Sequence, residues 1–254
     1  MAGASAGVGV EVVGLEKAFP LRGREVRVLQ GLSLSIPPGG FLAVAGRSGC
    51  GKTTLLRLLA GLEEPDAGEI RFLRGGAEVP RERIRVGFVF QEPRLMPWLT
   101  VEANLAFGLE ETLPREEIRA RVDRILGLVG LRDFRDAYPR QISGGMAQRA
   151  ALGRTLAVEP DLVLLDEPFG SLDWFTRRNL WRVLVDLHAR TGRAFLLVTH
   201  DMEEALALGD SVLLLREGGI GGRTEVPLPH PRDPADPRLV PLRRAILAAL
   251  GEGI

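Results

Sequence analysis

One octapeptide, Gly46-Arg47-Ser48-Gly49-Cys50-Gly51-Lys52-Thr53, constrains this chain more than any other segment. It follows the short apolar run Phe41–Ala45 and opens a stretch of helical character from Lys52 to about Ala60. A G-x-x-x-x-G-K-[ST] pattern between a strand and a helix is the sequence form of a phosphate cradle. Glycines let the backbone curl so that successive N–H groups point inward at phosphate oxygens. The start of the helix adds the positive end of its dipole. The Lys52 ammonium then reaches β- and γ-phosphates, and the Thr53 hydroxyl is placed to ligate Mg²⁺. Lysine occurs only at Lys17 and Lys52, so the match is hard to obtain by chance.

The rest of the chain supplies a setting for that loop. Val8–Val13, Leu32–Ile36, Glu69–Phe72 and Val86–Phe90 cluster or alternate branched residues and read as strands. Pro37-Pro38-Gly39-Gly40 reads as a turn. From about Pro93 to Ala157 the pattern turns helical, with Ile118, Val122, Ile125, Leu126 and Val129 on one face, so an inserted helical segment is expected there. Strands return at Leu162–Leu165, Phe195–Val198 and Val212–Leu215, with helices over Phe175–Ala189 and Met202–Leu208. Strands alternating with helices imply a parallel core sheet. After Gly218 a Gly- and Pro-rich tail is expected up to about Pro237, followed by a terminal helix over Leu239–Leu250.

Composition narrows the function classes. With 254 residues, 45% hydrophobic, the chain suits one compact α/β domain with a sizeable core. A net charge of zero gives no basic excess for nucleic acid, and none is expected as a partner. A single cysteine, Cys50, excludes an internal disulfide framework and fits a reducing compartment. Met1–Gly9 lacks the pattern of a signal peptide. No apolar run approaches the ~20 residues of a membrane span, so any work at a membrane is expected from outside the bilayer.

A phosphate cradle alone leaves kinases, GTPases and helicases open. Leu162-Val163-Leu164-Leu165-Asp166-Glu167 is an apolar strand ending in two acids. Paired with the cradle it reads as a Walker B strand, with Asp166 on Mg²⁺ and Glu167 as the general base that polarises the attacking water. The decisive segment is Ile142-Ser143-Gly144-Gly145-Met146-Ala147-Gln148-Arg149 just upstream. It resembles the signature of ABC ATPases, usually Leu-Ser-Gly-Gly-Gln. Gln91 resembles the Q-loop glutamine, Ser171-Leu172-Asp173 the D-loop and His200 the switch histidine. Phe19 resembles the family's adenine-stacking aromatic. The order of these elements is the family's, and the resemblance runs from about Glu11 to Arg216.

That resemblance implies a P-loop NTPase (RecA-like) core, an antiparallel β subdomain and an inserted helical subdomain over about 93–157. The ATPase domain would cover 1–221 and a C-terminal tail 222–254. Nucleotide would be held by Phe19, by Gly46, Arg47, Ser48, Gly49, Cys50, Gly51, Lys52, Thr53 and Thr54, and by Ser143, Gly144, Gly145 and Asp173 across a head-to-tail pair. The catalytic set would be Glu167, His200, Lys52 and Gln91, with Mg²⁺ on Thr53, Gln91 and Asp166. Two copies would sandwich two ATPs, and closure and opening would drive a separate permease from the cytoplasmic face of the membrane. A solute-binding protein would act indirectly. Three positions depart from the family: Met146 replaces glutamine, Gly153 stands where alanine is common, and Phe19 replaces the commoner tyrosine.

Phe41–Glu63 and the block Leu95-Met96-Pro97-Trp98-Leu99-Thr100-Val101 resemble importers of sulfonates, taurine, nitrate or bicarbonate. The tail Pro227–Arg232 is similar to their ends. Pro93 and Pro97 disfavour a helix there, so Leu95, Met96 and Trp98 are expected on irregular surface chain as the permease contact. The competing class is a soluble ABC ATPase unlinked to transport, which typically carries a long coiled-coil insertion or two ATPase units.

Overall fold

The computed structural model describes residues 7–170, 172–217 and 219–250. Ser171 of the expected D-loop lies outside them. The chain opens with β1 (Val8–Leu21) and β2 (Arg24–Ile36), then β3 (Phe41–Ala45) and α1 (Lys52–Leu59). Next come β4 (Ala67–Arg74), β5 (Ala77–Val79) and β6 (Val86–Val89). Three helices follow: α2 (Val101–Ala106), α3 (Arg115–Leu128) and α4 (Gly144–Ala157). The chain then alternates through β7 (Leu162–Asp166), α5 (Trp174–Thr191), β8 (Ala194–Thr199), α6 (Met202–Leu208) and β9 (Ser211–Arg216). β10 (Gly219–Glu225) and α7 (Leu239–Leu250) complete it.

Two sheets result. The larger has strand order β10-β9-β3-β8-β7-β6, parallel throughout except for the β10 edge. β3, β7 and β8 are buried along their whole length, as continuous apolar runs covered on both faces should be. The smaller sheet is antiparallel, in the order β2-β1-β4-β5. Its hairpins turn tightly at Arg22-Gly23 and Gly75-Gly76, all four residues at positive φ, as two-residue loops between twisted strands require.

Three apolar layers hold these parts together. The antiparallel sheet and α1 pack on one face of the core sheet through Val10, Leu15, Leu55 and Leu59. α2, α3, α4 and α5 pack on the other through Leu105, Ile125, Leu156 and Leu184. α6 and α7 close the β9–β10 end through Leu206, Leu239 and Ile246. The helical segment expected over 93–157 thus contains α2, α3 and α4, preceded by irregular chain.

Two strands were not legible. β5 is three residues long, and β10 contains Gly219, Gly221 and Gly222, which carry no strand propensity. β10 nevertheless pairs with β9 from Arg216 to Ser211, with a bulge between Ile220 and Gly222. The stretch expected as tail from Gly218 therefore begins with a sheet strand, and the expected boundary at 221/222 falls inside it. β1 and β2 also run well beyond Val13 and ahead of Leu32, because their hairpin projects as a ribbon with mostly exposed residues near its tip.

Candidate active site

Parallel pairing aligns the carboxyl ends of three buried strands. Ala45 stands beside Thr199, and Asp166 beside Val198. The loops leaving β3, β7 and β8 therefore emerge at one edge, where open α/β sheets bind ligands. The first of them is the Gly46–Thr53 loop. A Cβ on Gly46 would collide with the Leu215 carbonyl and come within 2.8 Å of Cys50 Sγ. Gly51 has φ 103°, and a Cβ there would sit 2.8 Å from Leu29 Cδ2 and 3.0 Å from the Val28 oxygen. Both positions demand glycine, for room and for backbone conformation respectively.

Lys52 is buried at the first position of α1, and its ammonium donates to the carbonyls of Gly46 (2.8 Å) and Arg47 (2.9 Å). The loop thus curls around a cation. Gly46, Cys50 and Gly51 are buried, while Arg47, Ser48 and Gly49 face solvent. Cys50 is a free thiol whose burial pushes its pKa up, which keeps it protonated and inert.

Thr53 Oγ1 donates to Asp166 Oδ1 at 3.1 Å, so the hydroxyl and carboxylate expected to share a cation already meet. Burial raises the Asp166 pKa; the Thr53 hydrogen bond opposes that, and neighbouring Glu167 adds to it. A desolvated carboxylate with a single hydroxyl partner suits a divalent cation, which would repay the burial and take hard oxygen ligands. Among the described residues no group of three His, Cys, Asp or Glu could hold a metal alone. Thr53, Asp166 and oxygens of a bound phosphate together make a fitting set.

Glu167 occupies left-handed backbone at φ 44°, unusual for a non-glycine residue and a form of strain concentrated at functional sites. Its N–H donates to the Val198 carbonyl at 2.9 Å. The turn aims the side chain across the strand ends, where Glu167 Oε2 lies 3.0 Å from His200 Nδ1. A carboxylate and an imidazole in contact can orient and deprotonate a water.

Below His200 lies a network that sequence reasoning missed. Thr199 Oγ1 donates to Glu204 Oε2 at 2.6 Å and accepts from the Asp201 N–H at 3.0 Å. Asp201 caps α6, and Arg177 pairs with it at 3.2 Å. Burial pushes the Glu204 carboxyl up to about 7. The only signal for this in sequence was an acidic cluster after His200.

The remaining expected residues stand apart from these contacts. Ser143 and Asp173 are exposed N-caps of α4 and α5, accepting from the Met146 and Thr176 N–H groups. Gly144 and Gly145 form the first turn of α4, at the exposed end of the helix. Gln91 is exposed just beyond β6, and Thr54 is half-buried on α1. Phe19 is half-buried on β1, with Lys17 Nζ 5.4 Å from its ring centroid. Two of the three departures have packing reasons. Met146 packs against the helical core, and a Cβ on Gly153 would lie 3.1 Å from Ile125 Cγ2, tighter than the α3–α4 contact allows.

Trp98 is 70% exposed and Met96 half-buried, on chain with no regular structure. Leu95 packs against the helical core. Asn104, fully buried, pins this loop: its Oδ1 accepts from the Met96 N–H, and its amide donates to the carbonyls of Met96, Leu99 and Thr100. α4 grips the preceding stretch, with Gln148 Nε2 on the Phe90 carbonyl (3.0 Å) and Arg154 on the Arg94 carbonyl (3.0 Å). Neither Asn104 nor these two contacts was expected.

Fold and site together define a P-loop nucleotide hydrolase with an inserted helical subdomain. Comparison with known proteins narrows the class. Residues 29–170 match the family described as ABC transporter. The chain is 43% identical to the aliphatic sulfonates import ATP-binding protein SsuB of Bacillus subtilis, over 92% of this chain and 91% of that one. It is 47% identical to SsuB 1 of Streptomyces avermitilis, over 98% of this chain and 89% of that one. Among solved structures, a dimeric bacterial ABC transporter cassette superposes with a TM-score of 0.78 at 29% identity, covering 85% of this chain and 98% of the cassette. A dimeric post-hydrolysis cassette bound to ADP and Pi gives 0.77 at the same identity and coverage. The chain belongs to the ABC transporter family.

Proposed function

We propose that this chain is the ATP-hydrolysing subunit of an importer, working at the cytoplasmic face of the membrane and energising uptake of a small anion through a separate permease. Among the described residues no helix is long and apolar enough to cross a membrane. The relatives named above are import subunits, which favours the transporter reading over a soluble ABC ATPase. Their names point to an aliphatic sulfonate; taurine, nitrate and bicarbonate are the neighbouring chemistries.

The observation that carries this reading is the pair of contacts at one sheet edge, Thr53 with Asp166 and Glu167 with His200. In the proposed reaction Lys52 and the loop N–H groups hold the β- and γ-phosphates of ATP. Glu167 takes a proton from the attacking water, and His200 orients that carboxylate and the γ-phosphate. Phe19 stacks on adenine. Mg²⁺, on Thr53, Asp166 and Gln91, supplies charge neutralisation at the transferring phosphoryl group. Ser143, Gly144 and Gly145 of a second copy close over the γ-phosphate, and that copy's Asp173 crosses the interface. Among the described residues no hydrogen bond or ion pair joins these four to the site, which suits a contribution made across a pair.

Lys52→Ala tests the site. The lost ammonium faces phosphate charge, and one such contact typically carries about 10²–10³ in rate. ATPase activity of the purified variant should fall by at least that factor, and uptake of an alkylsulfonate by reconstituted vesicles should vanish. Wild-type turnover would sink the assignment.

A further inference from the structure

α5 carries a stripe that the ATPase chemistry leaves unused. Trp174, Arg178 and Trp181 follow one another at helical spacing, with the Arg178 guanidinium 5.4 Å from the first ring centroid and 6.0 Å from the second. Arg182 follows, exposed. At this end of the stripe, α5, the end of α6 and the segment after β10 enclose a cleft of about 170 Å³. Its lining includes three cationic side chains, Arg178, Arg182 and Arg232, and a single acid, Asp233. Val185, Leu208 and Pro231 supply apolar lining.

The donors in this cleft are unevenly matched. Arg232 is largely engaged: four of its five N–H groups donate to the carbonyls of Leu206, Gly209, Val226 and Leu228, and its Nη2 lies 3.9 Å from Asp210, so it adds little to the cleft. Arg178 holds Asp233 only loosely, with both nitrogens 3.4 Å from one oxygen of a carboxylate that is 66% exposed. Arg182 makes no hydrogen bond or ion pair among the described residues. Trp181 is 6% exposed and lines the cleft, and its buried indole Nε1–H has no acceptor. A buried donor without a partner is costly and calls for an explanation.

We propose that this cleft binds a small organic oxyanion. Its head group accepts from Arg182 and Arg178, displacing Asp233 beside the Trp181 ring. Its short apolar tail lies along Val185, Leu208 and Pro231. Two guanidinium groups select an anion, and the apolar lining selects a carbon chain over a bare inorganic ion. A short-chain alkylsulfonate meets both demands. The site stands on its own side chains and does not depend on the transport reading, although the chemistry coincides with that of the proposed solute.

The test uses the full-length subunit, ¹⁵N-labelled at tryptophan, with saturating MgADP so that the phosphate loop does not compete for the probe. Trp98→Phe and Trp174→Phe, both at exposed positions, assign the indole N–H signals. Butane-1-sulfonate should shift the Trp181 signal saturably and leave Trp98 unmoved. Methanesulfonate and inorganic sulfate should each bind several-fold more weakly, for want of a tail. Arg182→Gln, at an exposed position that leaves the fold intact, should weaken butane-1-sulfonate about tenfold, the equivalent of one charge-assisted hydrogen bond. A Trp181 signal that does not move, or moves identically in Arg182→Gln, overturns the site. Sulfate binding as tightly as butane-1-sulfonate overturns the organic class. Failure of ATPase activity or transport in other experiments would leave this result untouched.

Discussion

Phe19 shows how a single side chain can be judged. It sits on a ribbon beyond the buried core, half-buried and approached by Lys17. A core residue would be enclosed by apolar neighbours, whereas Phe19 belongs to none of the three apolar layers. Phe19→Ala should therefore cost adenine binding and little stability. Base–aromatic stacking contributes about 1–3 kcal/mol, so ATP affinity measured by titration should drop about tenfold or more while turnover at saturation holds. Equal affinity would return the ring to a packing role. At this scale much of the candidate site was legible: Lys52, Thr53, Asp166, Glu167 and His200 lie at the ends of elements, and their proposed chemistry follows from residue type and order. Thr199, Glu204 and Asn104 were not legible, because their roles arise from partners that only the folded chain brings near.

The strand ends depend on elements beneath them. α6 begins directly after His200 and is held by Asp201, Arg177 and buried Glu204. Because burial lifts the Glu204 carboxyl to about 7, it stays protonated in the fold at pH values where the unfolded chain has ionised. The fold then binds more protons than the unfolded chain between the ordinary value of 4.5 and about 7, and the associated stabilisation is lost as pH rises through that window. Glu204→Gln removes the titration. Thermal melts at about pH 5 and about pH 8 should show a smaller decline for this variant than for the wild type; equal declines would mean that Glu204 titrates normally. A second element is the Asn104-pinned loop. Its position after Gln91 and the grip of α4 suit it to carry nucleotide state to the permease. Met96→Ala with Trp98→Ala should leave the isolated subunit's ATPase within a few-fold of wild type and uncouple transport in reconstituted vesicles. Intact transport would rule out the contact, and an unfolded variant would mean that the loop serves packing. The irregular, partly exposed chain was expected from Pro93 and Pro97, whereas the Asn104 clamp was not, since one buried amide serving four backbone groups leaves no pattern in sequence.

The whole molecule holds a core sheet between an antiparallel sheet and a helical layer, with the catalytic edge open. The core sheet was readable because buried parallel strands are continuous apolar runs. β10 was hidden by its glycines, and with it the way the last segment joins the sheet. The exposed caps Ser143 and Asp173 are the residues proposed to meet a second copy, and the solved neighbours are dimers. The central claim is that Glu167 activates water within an ATP-closed pair while others hold the nucleotide. Sedimentation of Glu167→Gln with and without MgATP, together with its hydrolysis rate, tests it most directly. The expected result is a dimer that forms only with MgATP, in a variant that hydrolyses it very slowly. Turnover near the wild-type rate, or a monomer at saturating MgATP, would contradict it.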